Sequence, residues 1–215
     1  IRQNLVNIGG YKLYLDCYNN TAAEALMGSI EVLEKIEMKK GGKRIAIITD
    51  VNVGDADEAV LLKMNKDAGE MISKAQTNID IFYCFGDECA RVLYEKISET
   101  NKETYYSNDR EELNAWIEKN IKVDDVTLYK GAFRRQLQRS VDQVYGTCFS
   151  TAASADDEFN EEYKYRIIDK TIHDREKMVS LMEYNGKNEV VEIPSEINGI
   201  KVFSVNSKCF ANNQV

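Results

Sequence analysis

The sequence predicts an α/β fold with a doubly wound, mostly parallel sheet, followed by a small β-rich tail. Over the first two-thirds of the 215 residues, short apolar runs alternate with longer amphipathic segments. This alternation is typical of parallel strands joined by helical crossovers. The runs "IAII" and "IFYCF" are almost continuously apolar, which is the pattern of strands buried on both faces of a sheet.

The predicted elements follow one another in a regular order. The β-like runs are Tyr11–Leu15, Arg44–Thr49, Ile79–Phe85, the weaker Thr104–Tyr106, and Val126–Tyr129. Helical periodicity predicts helices at Ala22–Met38, Glu58–Lys74, Asp87–Glu99, Arg110–Asn120 and Phe133–Tyr145. Thr21 with Glu24 three residues later predicts a capping box for the first helix, and Asn108 or Asp109 is a suitable cap for the fourth.

The composition changes after Tyr145. Residues 146–163 read "GTCFSTAASADDEFNEEY", a small, polar and then acidic stretch that is typical of a linker. Beyond it the chain has short alternating β-like pieces and the only proline, Pro194. We therefore expect an α/β domain over residues 1–147, a linker over 148–162 and a small β-rich segment over 163–215.

Composition and charge exclude several classes of protein. The chain is 43% hydrophobic and 30% charged, as globular domains are, and it has no apolar run long enough to cross a membrane. Its net charge of -8 argues against a nucleic-acid-binding surface. The five cysteines are scattered, which favours reduced thiols and a cytoplasmic location. The first residue is Ile1 and no signal-peptide pattern follows it, so we expect a piece of a longer protein.

Polar residues end several of the predicted strands. They are Asp16, Thr49-Asp50, Gly86-Asp87 and Lys130-Gly131. The carboxyl ends of parallel strands meet at one edge, where open α/β sheets bind their ligands. Tyr18, Asn19 and Asn20 follow Asp16 and are suited to stacking on a base or reading its edge. The alternative is that these residues serve only the turns, for which aspartate and asparagine are favoured.

Two further groups of residues have an ordinary and a functional interpretation. Arg134, Arg135 and Arg139 in "KGAFRRQLQR" form either a solvated helix face or a site for a carboxylate or phosphate. Cys84 and Cys89 have no zinc or thioredoxin spacing, and we expect buried thiols rather than a redox or metal site.

The segments "LDCYNNTAAEALMGSIEVLE", "GGKRIAIITDVNVGD" and "VTLYKGAFRRQLQRSVDQV" resemble, in this order, the carboxy-terminal domain of the Mur ligases. In that family an acid precedes Ser-Tyr-Asn-Ala-Asn-Pro, a second strand ends in Gly-Asp, and a third ends in Val-Lys-Gly-Ser. The resemblance spans about two-thirds of the chain and is closest to the branch that adds D-alanyl-D-alanine to the muramoyl tripeptide. It implies a Rossmann-like lid domain that closes over a central ATPase domain.

The resemblance also implies roles for individual residues. Asp16, Tyr18, Asn19, Asn20 and Asp50 fall where family members approach the nucleotide. Lys130 and Gly131, with Arg134 close by, fall where the incoming amino acid or dipeptide is held. In the family, ATP with Mg²⁺ phosphorylates a carboxylate and an amine then attacks the acyl phosphate.

The sequence also departs from the family pattern. Lys-Gly-Ser-Arg becomes Lys130-Gly131-Ala132-Phe133, and Tyr-Asn-Ala-Asn-Pro loses its proline and second asparagine. The G-x-x-x-x-G-K-S/T phosphate loop does not occur in these 215 residues. We therefore expect no catalysis and no tightly bound cofactor without the amino-terminal and central ATPase domains. These domains, on the same chain, and a small-molecule cell-wall precursor are the partners that the resemblance implies.

The tail "LMEYNGKNEVVEIPSEINGIKVFSVNSKCFANNQV" resembles a leucine-rich repeat of the BspA type. The matching residues are Tyr184, Gly186, Ile193, Pro194, Ile197, Gly199, Val202, Phe210 and Asn212. Such repeats stack on one another and bind proteins elsewhere, so a protein is the kind of partner that this resemblance implies for the tail. Two hypotheses follow: a piece of a Mur-type ligase, or a degenerate ligase fold kept as a scaffold in a protein-interaction protein.

Overall fold

The computed structural model describes residues 3–17, 22–53, 56–147, 149, 157–168, 177–188, 190–206 and 209–211. The chain divides into two compact units, Ile1–Gln138 and Arg139–Val215. The division falls within one helix, α5 (Leu137–Tyr145). Within the described ranges, no helix is both long enough and apolar enough to cross a membrane.

Unit 1 contains a six-stranded sheet. Its strands are β1 (Asn4–Ile8), β2 (Tyr11–Asp16), β3 (Arg44–Thr49), β4 (Ile81–Phe85), β5 (Glu103–Ser107) and β6 (Val126–Lys130). They lie in the order β1-β2-β6-β3-β4-β5. Strands β2 to β6 pair in parallel and β1 pairs antiparallel with β2. The predicted mostly parallel α/β sheet is therefore confirmed.

Strand β1 is absent from the predicted elements, and none of its residues is fully buried. Leu5 is 51% exposed, and the asparagines around it are exposed as well. The turn Gly9-Gly10, with φ of 57° and 95°, joins Ile8 to its partner Tyr11. Two central residues at positive φ are typical of a tight hairpin turn. This Gly-Gly pair was the sequence signal for the hairpin.

Four helices of unit 1 lie where periodicity predicts them. They are α1 (Ala23–Lys35), α2 (Glu58–Lys74), α3 (Glu88–Ser98) and α4 (Arg110–Asn120). Asp109 caps α4 by accepting hydrogen bonds from the amides of Glu111 and Glu112. Ala22 is the N-cap of α1, and the capping box predicted for Thr21 and Glu24 stays a prediction. Thr21 lies outside the described residues.

The helix predicted at Phe133–Tyr145 is interrupted. A 3-10 turn, η1 (Phe133–Arg135), is followed by Gln136 at φ 50° and only then by α5. The guanidinium of Arg110 donates to the carbonyl oxygens of Arg135 and Gln136, at 2.7 and 3.1 Å. The left-handed backbone of Gln136 breaks the helix at this point, and Arg110 holds the two carbonyls at the break.

Helices cover both faces of the parallel strands. On one face, α1, α2 and α3 pack a continuous apolar core against the sheet through Leu26, Ile30, Leu33, Ala68, Ile72, Leu93 and Ile97. On the other face, the Trp116 ring of α4 lies 4.9 Å from the Tyr83 ring and 5.1 Å from the Tyr105 ring. Since both faces are covered, the carboxyl ends of the strands are left at one edge.

Unit 2 contains a five-stranded sheet in the order β10-β11-β9-β8-β7. The strands are β7 (Asp157–Phe159), β8 (Tyr163–Ile168), β9 (Met178–Tyr184), β10 (Glu196–Ile197) and β11 (Ile200–Val205). Strands β9 and β11 are parallel, and the other pairs are antiparallel. Strand β7 lies inside the range 148–162 for which composition predicts a linker, so the ordered sheet begins before residue 163. His173, the only histidine, and Asn212 lie outside the described residues.

Candidate functional site

The carboxyl ends of four neighbouring strands meet at one edge of the sheet in unit 1. Strands β2, β6, β3 and β4 are adjacent and parallel, so the residues after them lie side by side. We call this edge the rim, and it consists of Asp16, Thr49, Asp50, Gly86, Asp87 and residues 130–135.

An ion pair joins the ends of β2 and β6. Lys130 and Asp16 are register partners, and the Lys130 Nζ lies 2.7 Å from Asp16 Oδ2. The Ser29 hydroxyl donates to the same oxygen at 3.0 Å. The side chains of Lys130 and Asp16 are only 6% and 10% exposed. Each charge is therefore compensated by the other rather than by water.

A second ion cluster joins the ends of β6, β3 and β4. The Asp50 side chain has no exposed surface. Its Oδ2 accepts from Arg134, and its Oδ1 accepts from Arg135 Nε at 2.5 Å. Arg135 Nη2 also lies 2.5 Å from Asp87 Oδ2. Two guanidinium groups thus balance two carboxylates, and Arg135 bridges both acids.

The pKa directions agree with this geometry. Burial alone raises the pKa of the Asp87 carboxyl, but the hydrogen bond and charge of Arg135 outweigh it, so its pKa is lowered. Burial lowers the pKa of Arg135, but hydrogen bonds to Asp50 and Asp87 outweigh that effect and raise it. Asp87 and Arg135 are therefore both charged at neutral pH.

Two glycines allow the turns of the rim to approach one another. A Cβ on Gly131 would lie 2.6 Å from both Cγ2 and Oγ1 of Thr49, whose hydroxyl accepts from the Ala132 amide at 3.1 Å. A Cβ on Gly86, which has φ of 147°, would lie 3.3 Å from Arg135 Nε. Only glycine fits at these positions without a shift of its neighbours.

Asn65 and Arg110 support the rim and were not among the predicted site residues. Asn65 is buried within α2, accepts from the Val51 amide at 2.7 Å, and donates to the Val51 carbonyl at 2.9 Å. It thus fixes the backbone just after Asp50. An asparagine on the buried stripe of an amphipathic helix was a usable signal. Arg110, whose guanidinium also lies 5.0 Å from the Phe85 ring centre, gave no comparable signal.

The structure brings the predicted nucleotide and substrate residues together in pairs. Asp16 contacts Lys130, and Asp50 contacts Arg134. Gly131 lies between these pairs, against Thr49. Tyr18, Asn19 and Asn20, also predicted to bind nucleotide, lie outside the described residues. Charged donors such as those of the rim are suited to binding carboxylates and phosphates.

Comparisons with known proteins identify the fold of this region. No protein-family model matches the sequence, and no curated protein matches it. Among solved structures, the chain is similar to MurF ligase from Thermotoga maritima in complex with ADP, at 22% identity with a TM-score of 0.51. It is also similar to MurF from Acinetobacter baumannii, at 14% identity with a TM-score of 0.55.

These similarities cover 66% and 68% of this chain but only 29% and 30% of the two MurF chains. The chain therefore spans less than a third of the length of either neighbour. At such identities the likeness shows the fold alone. That fold is a mixed α/β domain with a parallel sheet, consistent with the Rossmann-like carboxy-terminal domain of Mur ligases.

Proposed function

We propose that residues 1–147 are the carboxy-terminal lid domain of an ATP-dependent amide-bond ligase of the Mur type. One observation carries the proposal. Of the residues that match the family motifs, the described ones, Asp16, Asp50, Lys130 and Gly131, lie together at the rim, in a fold shared with two MurF ligases. The carboxyl edge of such a sheet is also where open α/β folds bind ligands.

The rim residues differ in how exposed their side chains are, and we propose different roles for them on this basis. Asp50 has no exposed surface, so it acts on a ligand through its arginines rather than by direct contact. Asp16 and Lys130 are almost fully buried and hold the ends of β2 and β6, including the Lys130-Gly131 turn that would face the incoming substrate. Tyr18, Asn19 and Asn20 follow Asp16 and are proposed for the adenine and ribose.

Catalysis requires parts that this chain does not supply. The G-x-x-x-x-G-K-S/T loop that cradles phosphates does not occur in the 215 residues. ATP and Mg²⁺ would be held chiefly by a central ATPase domain, with this domain closing over it, and the 215 residues alone would be inactive. Support for a nucleotide comes from the Thermotoga maritima MurF ligase, which was solved with ADP. The proposed substrate is a cytoplasmic cell-wall precursor, with D-alanyl-D-alanine as the incoming dipeptide.

A second function is favoured by unit 2. Strands β9 and β11 pair in parallel, with Val202 opposite Val179 and Ser204 opposite Ser180. These pairs are separated by 23 and 24 residues along the chain, within the range of about 20–29 residues for one leucine-rich repeat. On this alternative, the ligase fold is a scaffold and the repeat binds a protein.

A titration of the 215-residue chain separates the two functions. Mg-ADP and D-alanyl-D-alanine are added in turn to ¹⁵N-labelled protein, and the backbone amides are followed by NMR. The ligase proposal expects saturable shifts at the rim with at least one of the two ligands. The control variant is Lys39→Met, which removes an exposed ion pair with Asp124 at the opposite edge of the sheet and should leave these shifts unchanged.

The complete coding sequence supplies the second half of the test. A G-x-x-x-x-G-K-S/T loop upstream of residue 1 supports the ligase. Absence of that loop, together with no saturable shift at the rim, would rule the ligase out and leave the scaffold.

A further inference from the structure

Asp50 accepts from two guanidinium groups, and Asp87, which shares Arg135 with it, is 54% exposed to water and so depends less on a cation. Each carboxylate oxygen of Asp50 accepts from a different arginine, Arg134 on one side and Arg135 on the other. A fully buried carboxylate needs a cationic or hydrogen-bonding partner, because an uncompensated buried charge is strongly destabilising. One guanidinium meets that need.

Arg135 is the arginine that stays in place. Its side chain is 17% exposed, and it bridges Asp50 and Asp87 through two different nitrogens. Gly86 packs closely over it, since even a Cβ there would lie 3.3 Å from Arg135 Nε. Moving Arg135 would leave two carboxylates without their shared partner.

Arg134 is held far less firmly. Its side chain is 43% exposed, and Asp50 is its one hydrogen-bond and ion-pair partner within the described ranges. Lys130 offers a contrast, because it is 6% exposed and its departure would leave Asp16 buried without a cation. Of the cations at the rim, Arg134 alone can leave its carboxylate while that carboxylate keeps another guanidinium.

We propose that Arg134 is an exchangeable anion-binding residue, and that Asp50 is the internal competitor that holds it when no ligand is present. The ligand group is a carboxylate or a phosphate, since a planar guanidinium binds both through paired N–H donors. This inference rests on the proposed function and adds a regulatory step to it. Arg134 passes from Asp50 to the ligand, and Arg135 continues to neutralise Asp50.

The proposal is tested by observing the arginine side chain itself. Nε–Hε signals of the ¹⁵N-labelled 215-residue chain are recorded by NMR, and the signal of Arg134 is assigned by its loss in Arg134→Lys. Inorganic phosphate and acetate are titrated separately. We expect a saturable shift of the Arg134 signal with at least one anion and an unchanged Arg135 signal. A response to phosphate alone points to a nucleotide phosphate, and a response to acetate alone points to the carboxylate of the incoming substrate.

Competition is tested by Asp50→Asn, with Asp87→Asn as the matched control. Both changes make the local charge more positive by one, but only the first removes the partner of Arg134. We expect Asp50→Asn to tighten anion binding about two- to fivefold more than Asp87→Asn does, the range expected for release from a partly exposed ion pair. Equal effects of the two variants overturn the competition.

If the Asp50→Asn variant does not fold, the Arg134→Ala variant provides the test instead. Because Arg135 still neutralises Asp50, we expect Arg134→Ala to fold and to lose the anion response at the rim. A wild-type chain whose Arg134 signal responds to neither anion overturns the inference, while ADP shifts elsewhere on the rim would still support the proposed function. An Arg134 response to phosphate without any shift by ADP or D-alanyl-D-alanine supports the inference and counts against the ligase.

Discussion

The ammonium group of Lys130 lies 2.7 Å from the carboxylate of Asp16, and both side chains are almost fully buried between two parallel strands. A residue predicted to hold substrate and a residue predicted to approach nucleotide therefore neutralise each other. The pair fixes the end of β2 against the end of β6. The pair therefore contributes to the stability of the fold, because a buried charge that loses its partner is strongly destabilising.

Lys130→Met is expected to destabilise the chain by about 3 kcal/mol, because it leaves the Asp16 carboxylate buried without a cation. Adding Asp16→Asn should recover part of that loss, since the amide oxygen can still accept from Ser29. The free energy of unfolding of unit 1 is measured by urea denaturation.

The control for this pair is Lys39→Met. Lys39 and Asp124 form an ion pair of 2.9 Å at the other edge of the sheet, but their side chains are 69% and 55% exposed. We expect Lys39→Met to lower the free energy of unfolding by about 0.5 kcal/mol or less. If Lys130→Met and Lys39→Met lowered the free energy of unfolding equally, the buried pair would contribute no more to stability than the exposed pair does.

Gly131→Ala is expected to destabilise the fold by about 1–3 kcal/mol through overpacking. The new Cβ would meet Thr49 at 2.6 Å, in the middle of the rim. Thr49→Ala removes both clashing atoms, so the double variant should lose less than the sum of the two single losses. Urea denaturation again gives the measurement.

Gly28→Ala is the matched glycine control for this steric argument. Gly28 lies inside α1, and a Cβ there would meet nothing within 4 Å. We expect stabilisation of about 1 kcal/mol, the ordinary helix preference for alanine over glycine. Gly131→Ala with no loss of stability would contradict the close approach of the two turns.

The sequence was sufficient to predict which strands are parallel, because periodicity and apolar runs reflect burial on both faces of the sheet. It also placed Asp16, Asp50 and Lys130 at strand ends. It could not show which charges pair, since Asp50 and Arg134 are 84 residues apart and no local pattern encodes their contact. The break at Gln136 is likewise held by a contact that no local pattern encodes, with Arg110 26 positions away.

Asp87→Asn is expected to change how stability depends on pH. Arg135 lowers the pKa of Asp87 in the folded chain, so this pair stabilises the fold above the unfolded pKa of about 4. The contribution is lost as pH falls through the lower, folded pKa. The wild type should therefore be more stable than Asp87→Asn at pH 7, and the gap should shrink below about pH 4.

Thermal unfolding followed by circular dichroism from pH 7 to pH 3 measures this gap. The Asp87 side chain is 54% exposed, so solvent screening keeps the expected effect modest. Asp124→Asn serves as the control, because it removes an exposed pair at the opposite edge without touching Arg135. A gap between wild type and Asp87→Asn that stays constant over this range would contradict the lowered pKa.

The buried thiols give a prediction about chemical reactivity. Cys17 lies at the end of β2 and donates to the Tyr129 carbonyl at 3.2 Å, while Cys84 lies within β4. Burial raises the pKa of Cys17 to about 12 and also raises that of Cys84. Since the thiolate is the reactive form, neither should react with iodoacetamide at pH 8 while the chain is folded.

Mass spectrometry of digested peptides follows the alkylation of each cysteine separately, with the urea-unfolded chain as the positive control. We expect Cys17 and Cys84 to react together, at a rate limited by unfolding of the sheet. Cys84 serves as the internal reference because it sits in the centre of the core. Faster labelling of Cys17 would instead mean that the end of β2 opens locally. The Asp16–Lys130 pair would then not hold the end of β2 against the end of β6.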